Sequence, residues 1–411
     1  MRRPALLLLA ILPCLVLCAQ AGKYSFSKLD IYNGLSHNQV NTILKDNTGF
    51  LWFGTMSGLN RYDSYGFKVF RHSAADTTSI NDNYISGIYQ LPGNDLWVNT
   101  RSGGNIYQSK TEKFERNFSR YLLQHSLPSG TIRSVIRDRQ GDFWFAYDSL
   151  GVYRYSTATG KTKGYSYSPS ANNGPATSQL SGIRADAQGY IWMVHRNGIV
   201  EKMDPASGKI MYRNNELNRR NATLFNYDLF VDREGQVWLW TLNEANGAFL
   251  LDPAKGVITN FSETGPGVRI NNNLITGVIQ DGKGIIWIGT DHGGINLFDK
   301  TTGRVSFVVS DPKDPRSLAQ NSIYSIYKDD SGMIWVGTFK QGINYLDENI
   351  ARFAHYRHKD GDPSSLPADD VNAFVEDGNG NLWIGTNGSG LIFFDRKKQQ
   401  FRNYRHDPAN P

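Results

Sequence analysis

From Val40 onward the chain alternates short apolar runs with tight polar breaks. Val40 to Lys45, Phe50 to Thr55, Leu59 to Asp63 and Phe67 to His72 are separated by turn-forming residues such as Asp46-Asn-Thr-Gly49. Runs of this length, rich in β-branched and aromatic residues, predict four short strands, here a, b, c and d. The second run is apolar at nearly every position, as in Leu51-Trp52-Phe53 and again in Ile285-Ile286-Trp287-Ile288. A strand with one wet face would alternate, so strand b is expected to be covered on both faces.

The same unit recurs. Eight of the nine tryptophans, Trp52, Trp97, Trp144, Trp192, Trp238, Trp287, Trp335 and Trp383, occupy one equivalent position at intervals of 45 to 49 residues, and Trp240 alone lies outside it. Asp-x-x-Gly turns precede strand b at Asp46, Asp138, Asp186, Asp232, Asp281, Asp329 and Asp377. Asp opens such a turn by accepting backbone amides two residues on, and Gly closes it by tolerating positive φ. A four-stranded sheet repeating at this interval predicts an all-β β-propeller, since solenoids use shorter units or helices. Eight repeats allow a single eight-bladed ring. The preferred reading is a seven-bladed ring over residues 22–350 plus the first blade of a second propeller over 351–411. Tyr24 to Leu29 would then act as the outer strand that joins the start of the ring to its end.

Composition changes the picture at the ends. Arg2 and Arg3, the apolar stretch Ala5 to Leu17 and Ala19-Gln20-Ala21 read as a secretory signal peptide over residues 1–21. Both cysteines, Cys14 and Cys18, lie within it, so the mature chain is expected to hold no thiol, disulfide or cysteine-based metal site. Its two arginines also leave, which lowers an already small net charge of +6. No dense basic run follows, so nucleic acid is not an expected partner. The sequence ends in His406-Asp407-Pro408-Ala409-Asn410-Pro411, inside a connector like Asp311 to Leu318 and Asp360 to Leu366. It reads as the front portion of a longer polypeptide.

Leu35-Ser36-x-Asn38, the Asp-x-x-Gly turns, Trp52-x-Gly54-Thr55, Trp287-x-Gly289-Thr290, Trp335-x-Gly337-Thr338 and Trp383-x-Gly385-Thr386 resemble two-component regulator propeller repeats. That resemblance covers essentially the whole mature chain. It implies the periplasmic sensor half of a hybrid two-component histidine kinase of the Bacteroidetes type, one responding to oligosaccharides from polysaccharide breakdown. Members commonly carry two seven-bladed propellers, a small β-sandwich, a membrane span, and kinase and receiver domains. The implied full receptor is a homodimer anchored in the inner membrane through those later parts. The implied partners of this portion are an oligosaccharide or neighbouring sensor domains.

Candidate chemistry lies where the repeat departs from its pattern. Blades two to five replace the Gly of Trp-x-Gly-Thr with Asn99, Ala146, Val194 and Trp240. In or beside their b–c loops stand Arg101, Tyr147, Asp148, His195, Arg196 and Glu244, and Asp291 and His292 follow in blade six. In a propeller these loops share one face with the d–a connections, and charged groups beside aromatic faces suit a carbohydrate. These nine residues, Trp240 included, are the expected ligand contacts. Asp148, Glu244 and Asp291 also offer carboxylates for a glycosidase, and a secreted polysaccharide lyase or glycosidase is the competing reading, beside a purely structural scaffold. His195, His292 and Glu244 lack close ligand spacing, and no P-loop, nucleophile elbow or kinase motif is present. Asp377-Gly-Asn379-Gly-Asn381 lacks the Gly and Glu of a calcium loop and reads as a turn. No catalytic set, metal or cofactor is expected in this chain.

Overall fold

The turn Asp46-Asn-Thr-Gly49 shows how one repeat folds. In the computed structural model, Asp46 Oδ1 accepts the backbone N–H of Thr48 (2.8 Å) and Phe50 (3.0 Å). Gly49 takes φ 97° to close the turn. The second carboxylate oxygen has a further role that the pattern did not reveal: Trp52 Nε1 donates to Asp46 Oδ2 at 2.7 Å. The same clasp joins Trp144 to Asp138, Trp192 to Asp186, Trp238 to Asp232, Trp287 to Asp281 and Trp335 to Asp329. A buried indole N–H needs an acceptor, and the turn supplies it. Blade two lacks this acid, since Leu91 stands in its place, and Trp97 Nε1 is buried with no hydrogen-bond partner among the described residues. There strand c passes so close that a Cβ on Gly104 would lie 2.5 Å from that nitrogen.

The structure describes residues 24–406 except 166, 168–173, 221–222, 349–355 and 363. The signal-peptide segment 1–21 lies outside them. In the first repeat, strand a is Val40–Lys45, b is Leu51–Thr55, c is Gly58–Tyr62 and d is Phe67–Phe70. They pair antiparallel in that order. Strand b is buried at all five positions here, and likewise in Phe143–Tyr147, Ile191–His195, Val237–Thr241 and Ile286–Thr290. Its cover comes from the next sheet. Trp52, for example, packs among Ile80, Ile85, Leu96, Val98 and Tyr107 of repeat two. The core is thus a series of clusters between neighbouring sheets.

Contacts divide the chain into Met1–Glu348 and Asn349–Pro411. In the first unit, seven sheets are seen among the described residues, and their a strands adjoin one another in chain order around a channel. Strand a of the seventh, Ile323–Lys328, lies against strand a of the first, and Ser325 Oγ donates to Val40 O at 3.0 Å. Trp335 of the seventh sheet reaches Phe53 of the first, ring centroids 5.8 Å apart. Ser27–Leu29 pairs antiparallel with Ile343–Tyr345, completing the seventh sheet from the N-terminal side. The succession therefore closes without the eighth sheet.

Three additions interrupt the plain repeat. A helix, Phe118–Gln124, follows blade two, and a shorter one, Glu216–Arg220, follows blade four. Blade five gains a fifth strand, Val268–Arg269, parallel to its outer strand. In the second unit Val371–Glu376, Leu382–Thr386, Leu391–Asp395 and Gln400–Tyr404 form one further sheet over Leu366, Ile384, Ile392 and Phe394. Its strand a is exposed at all six positions. Asp377 there accepts the N–H of Asn379 and Asn381, as a turn residue does.

Candidate ligand site at the channel mouth

At one end of the ring, the residue after strand b donates its backbone N–H to the carbonyl of a residue at the start of strand a. The pairs are Arg101 to Tyr84, Asp148 to Thr131, Arg196 to Gln179, Leu242 to Asn226, Asp291 to Leu274 and Phe339 to Ser322, at 2.7 to 3.3 Å. Four of the nine expected contacts, Arg101, Asp148, Arg196 and Asp291, thus take one equivalent position around the ring.

Three others, Tyr147, His195 and Trp240, are buried rather than open at the mouth. Tyr147 and His195 occupy the position of Thr55, the last of strand b, which faces the space between sheets rather than solvent. Tyr147 is buried, its ring edge-on to Tyr153 and its hydroxyl donating to Pro128 O at 2.9 Å. Burial, and to a lesser degree Tyr153, pushes its pKa up, so it offers no open stacking face. Trp240 occupies the position of Gly54 and is buried among Ile275, Ile288 and Phe261. In blade one that space is filled from the next blade, where a Cβ on Gly54 would meet Ile85 at 2.6 Å. Trp240 therefore fills space between sheets and has little surface to offer a ligand.

His195 belongs to a buried knot. In blade one the equivalent place is neutral: Thr55 Oγ1 meets Ser36 Oγ at 2.8 Å, and Asn60 bridges back to Ser36. In blade four His195 Nε2 lies 2.7 Å from Glu201 Oε2, and Thr177 Oγ1 lies 2.8 Å from Nδ1. Glu201 also accepts Ala176 N at 2.9 Å and Arg213 Nε at 2.6 Å. Both His195 and Glu201 are 0% exposed. Burial opposes ionisation of Glu201, but the hydrogen bond and field of His195, with the bonds from Ala176 and Arg213, hold its carboxyl below the usual range.

The remaining candidates do not form one basin over blades two to five. Asp148 is paired with Arg133 at 2.7 Å. Arg196 is half-buried, with Nε lacking a partner among the described residues. Glu244 is exposed on its loop, and His292 is exposed with Nδ1 3.1 Å from Asp291 Oδ1. Among the described residues no three His, Asp or Glu side chains are grouped as for a metal ion.

What the ring does bring together is its own mouth. The channel has a volume of 930 Å³ and is lined by all seven a strands, with Tyr84, Leu242, Asn243 and Tyr324 on its wall. An adjoining hollow of 200 Å³ shares Leu242, Asn243 and Tyr324 and adds Asp291. Phe339 stacks on Tyr324 with centroids 5.1 Å apart, and Lys340 Nζ lies 5.0 Å from the Phe339 ring. Arg101 Cζ lies 4.8 Å from the Tyr84 ring. Burial first, then the Asp291 carboxylate and the Tyr84 hydroxyl, push the Tyr324 phenol upward. Asp291 Oδ1 is buried, with His292 Nδ1 at 3.1 Å and no hydrogen bond among the described residues. Deeper in the channel Arg184 and Asp228 pair at 2.9 Å. Tyr324, Phe339 and Lys340 were missed because blade seven keeps the regular motif, and Tyr84 because it precedes strand a of blade two rather than standing in its b–c loop. The only signal was an aromatic at the start of strand a or just after strand b.

Four stretches of the chain, residues 34–57, 269–292, 317–340 and 365–388, match the family model described as two component regulator propeller. Histidine kinase P4 of Formosa agariphila is 40% identical over 63 residues, which is 15% of this chain and 5% of that protein. Among solved structures, one similar fold is the extracellular domain of a protein assigned to hybrid two component systems, from B. thetaiotaomicron. It aligns with TM-score 0.63 and 24% identity over 93% of this chain and 49% of that one. PorZ, a surface component of the type-IX secretion system of Porphyromonas gingivalis, aligns with TM-score 0.57 and 14% identity over 92% of this chain and 60% of that one. The chain therefore spans about half the length of the first of these structures and a small part of the kinase. Four of its eight tryptophan-centred repeats, those of Trp52, Trp287, Trp335 and Trp383, match two component regulator propeller repeats, and the other four resemble them in length and tryptophan position.

Proposed function

We propose that this chain is the extracytoplasmic ligand-sensing propeller of a two-component signalling receptor, and that its ligand is an oligosaccharide from polysaccharide breakdown. The observation that carries the reading is the channel mouth. There Tyr84 and Tyr324 line the channel wall, Phe339 stacks on Tyr324, and Asp291 lies in the adjoining hollow, its Oδ1 3.1 Å from His292 Nδ1 but in no hydrogen bond among the described residues. Sugar ring faces stack on aromatic side chains, and sugar hydroxyls supply the donor that such an oxygen needs. The names of the similar proteins, a histidine kinase and an extracellular domain of a hybrid two component system, support the signalling context. A sensor requires only that ligand bind one arrangement of the receptor better than another.

The glycosidase reading finds less support. Of its three carboxylates, Asp148 is tied to Arg133, Asp291 sits beside His292, and Glu244 is exposed on its loop. The test is thermal unfolding of the chain across a panel of neutral and acidic oligosaccharides. A true ligand at a hundred times its Kd stabilises by about 2.7 kcal/mol. If no saccharide shifts the transition, sensing of sugars by this propeller is wrong.

A further inference from the structure

The charges around the mouth are not evenly balanced. Asp148 is neutralised by Arg133, and Arg184 by Asp228. Arg101 and Lys340 have no carboxylate within ion-pair distance among the described residues, although Asp82, whose carboxyl is held down by the Tyr84 N–H first and by Ser102 and Arg101 after it, stands near Arg101. Each cation is held against an aromatic ring, at 4.8 Å from Tyr84 and 5.0 Å from Phe339. A cation resting on a ring is oriented and partly desolvated while its outward donors stay open. These two groups belong to blades two and seven and flank blade one, whose own mouth residue is the uncharged Met56. Arg71 stands on the same side, donating Nε to Ser57 O at 3.0 Å. Glu244, with no ion pair among the described residues, and the Asp291–His292 pair belong to blades five and six, next in order to blade seven. The mouth therefore carries cations from blades seven and two on either side of blade one, and acceptors from blades five and six beside blade seven.

Resting on the saccharide reading above, we infer that the mouth selects an acidic oligosaccharide. Arg101 and Lys340 take an anionic substituent, a uronate carboxylate or a sulfate ester, the Tyr84 and Tyr324 rings carry a sugar face, and Asp291 accepts a hydroxyl. Neutral sugars would leave both cations unpaired and gain only the stacking and the Asp291 bond.

Calorimetric titration of the whole chain tests this with three probes: a galacturonate tetramer, the same tetramer with its carboxyls reduced to alcohols, and a sulfated galactose tetramer. One acidic tetramer is expected to bind at least about tenfold more tightly than the reduced one, with an affinity that falls as salt is raised. Which acidic tetramer binds separates carboxylate from sulfate. Arg101→Gln and Lys340→Gln should each weaken the acidic probe by about tenfold and leave the reduced probe unchanged. Lys255→Gln, in the c–d turn of blade five at the other end of the ring, should change neither. Equal binding of acidic and reduced tetramers, or equal weakening of both by the two variants, overturns the acid selection and leaves the saccharide reading standing. Binding by no saccharide at all overturns both.

Discussion

Thr55, Thr100, Thr290 and Thr338 end strand b in blades one, two, six and seven, and each donates its hydroxyl to the carbonyl of the glycine that opens strand c, at 2.8 to 3.0 Å. In blade four that residue is His195, and the asparagine that strand c carries in those four blades is Glu201. Two exchanges across one antiparallel pair convert a neutral knot into an ionisable one, with Arg213 of strand d as a third member. The first exchange is visible as a broken Trp-x-Gly-Thr motif. Its meaning was not, because it depends on which strand-c residue faces it in the folded sheet. The Glu201 carboxyl is held below its ordinary value in the fold, so its ionised form adds stability that is fully present above about pH 4.3. That contribution is lost as pH falls through the lower, folded value. Denaturant unfolding at a series of acid pH values should show stability declining below about pH 4.3. Glu201→Gln should remove part of that slope and Glu201→Ala should cost about 3–5 kcal/mol at neutral pH. An unchanged acid slope in Glu201→Gln would show that the knot carries no linkage.

Strands a to d of the first repeat were legible almost residue by residue, because period, turn chemistry and the tryptophan all agree there. The ring-closing element was legible in place but not in extent. Only Ser27–Leu29 pairs as a strand, while Phe26 N donates to Arg316 O at 2.8 Å and Tyr24 sits edge-on to Trp287 at 4.9 Å. The helix Phe118–Gln124 was not foreseen, since a seven-residue element in a polar connector is too short for a period to stand out. Tyr121 and Leu122 nonetheless seat it against Leu91, Ile106 and Leu127. Removing residues 24–29 should expose the edge of Ile343–Asp347 and leave gaps in the two core clusters that Phe26 and Leu29 help to fill. Hydrogen exchange on that shortened chain should show faster exchange across Ile323–Lys328, Met333–Thr338 and Ile343–Asp347, with blades three and four retaining their protection. Uniform protection in all of these would mean that the N-terminal strand does not hold the ring closed.

At the scale of the whole molecule, the tryptophan spacing made the propeller legible, while the mouth stayed hidden. Departures from the repeat marked Tyr147, His195 and Trp240, but those changes repack the space between sheets. The mouth is assembled instead from Tyr84, Asp291, Tyr324 and Phe339, which lie in blades two, six and seven and meet only when the ring closes. No local motif announces such a set, because each member looks ordinary in its own repeat. Hydroxyl-radical footprinting tests the claim most directly, with and without the oligosaccharide that stabilises the chain most. Bound saccharide should protect Tyr84, Tyr324 and Phe339 from oxidation. Tyr65 and Met211, 97% and 61% exposed away from the mouth, should oxidise at unchanged rates. Protection elsewhere, with these three rings unaffected, would contradict the assignment of the channel mouth as the ligand site.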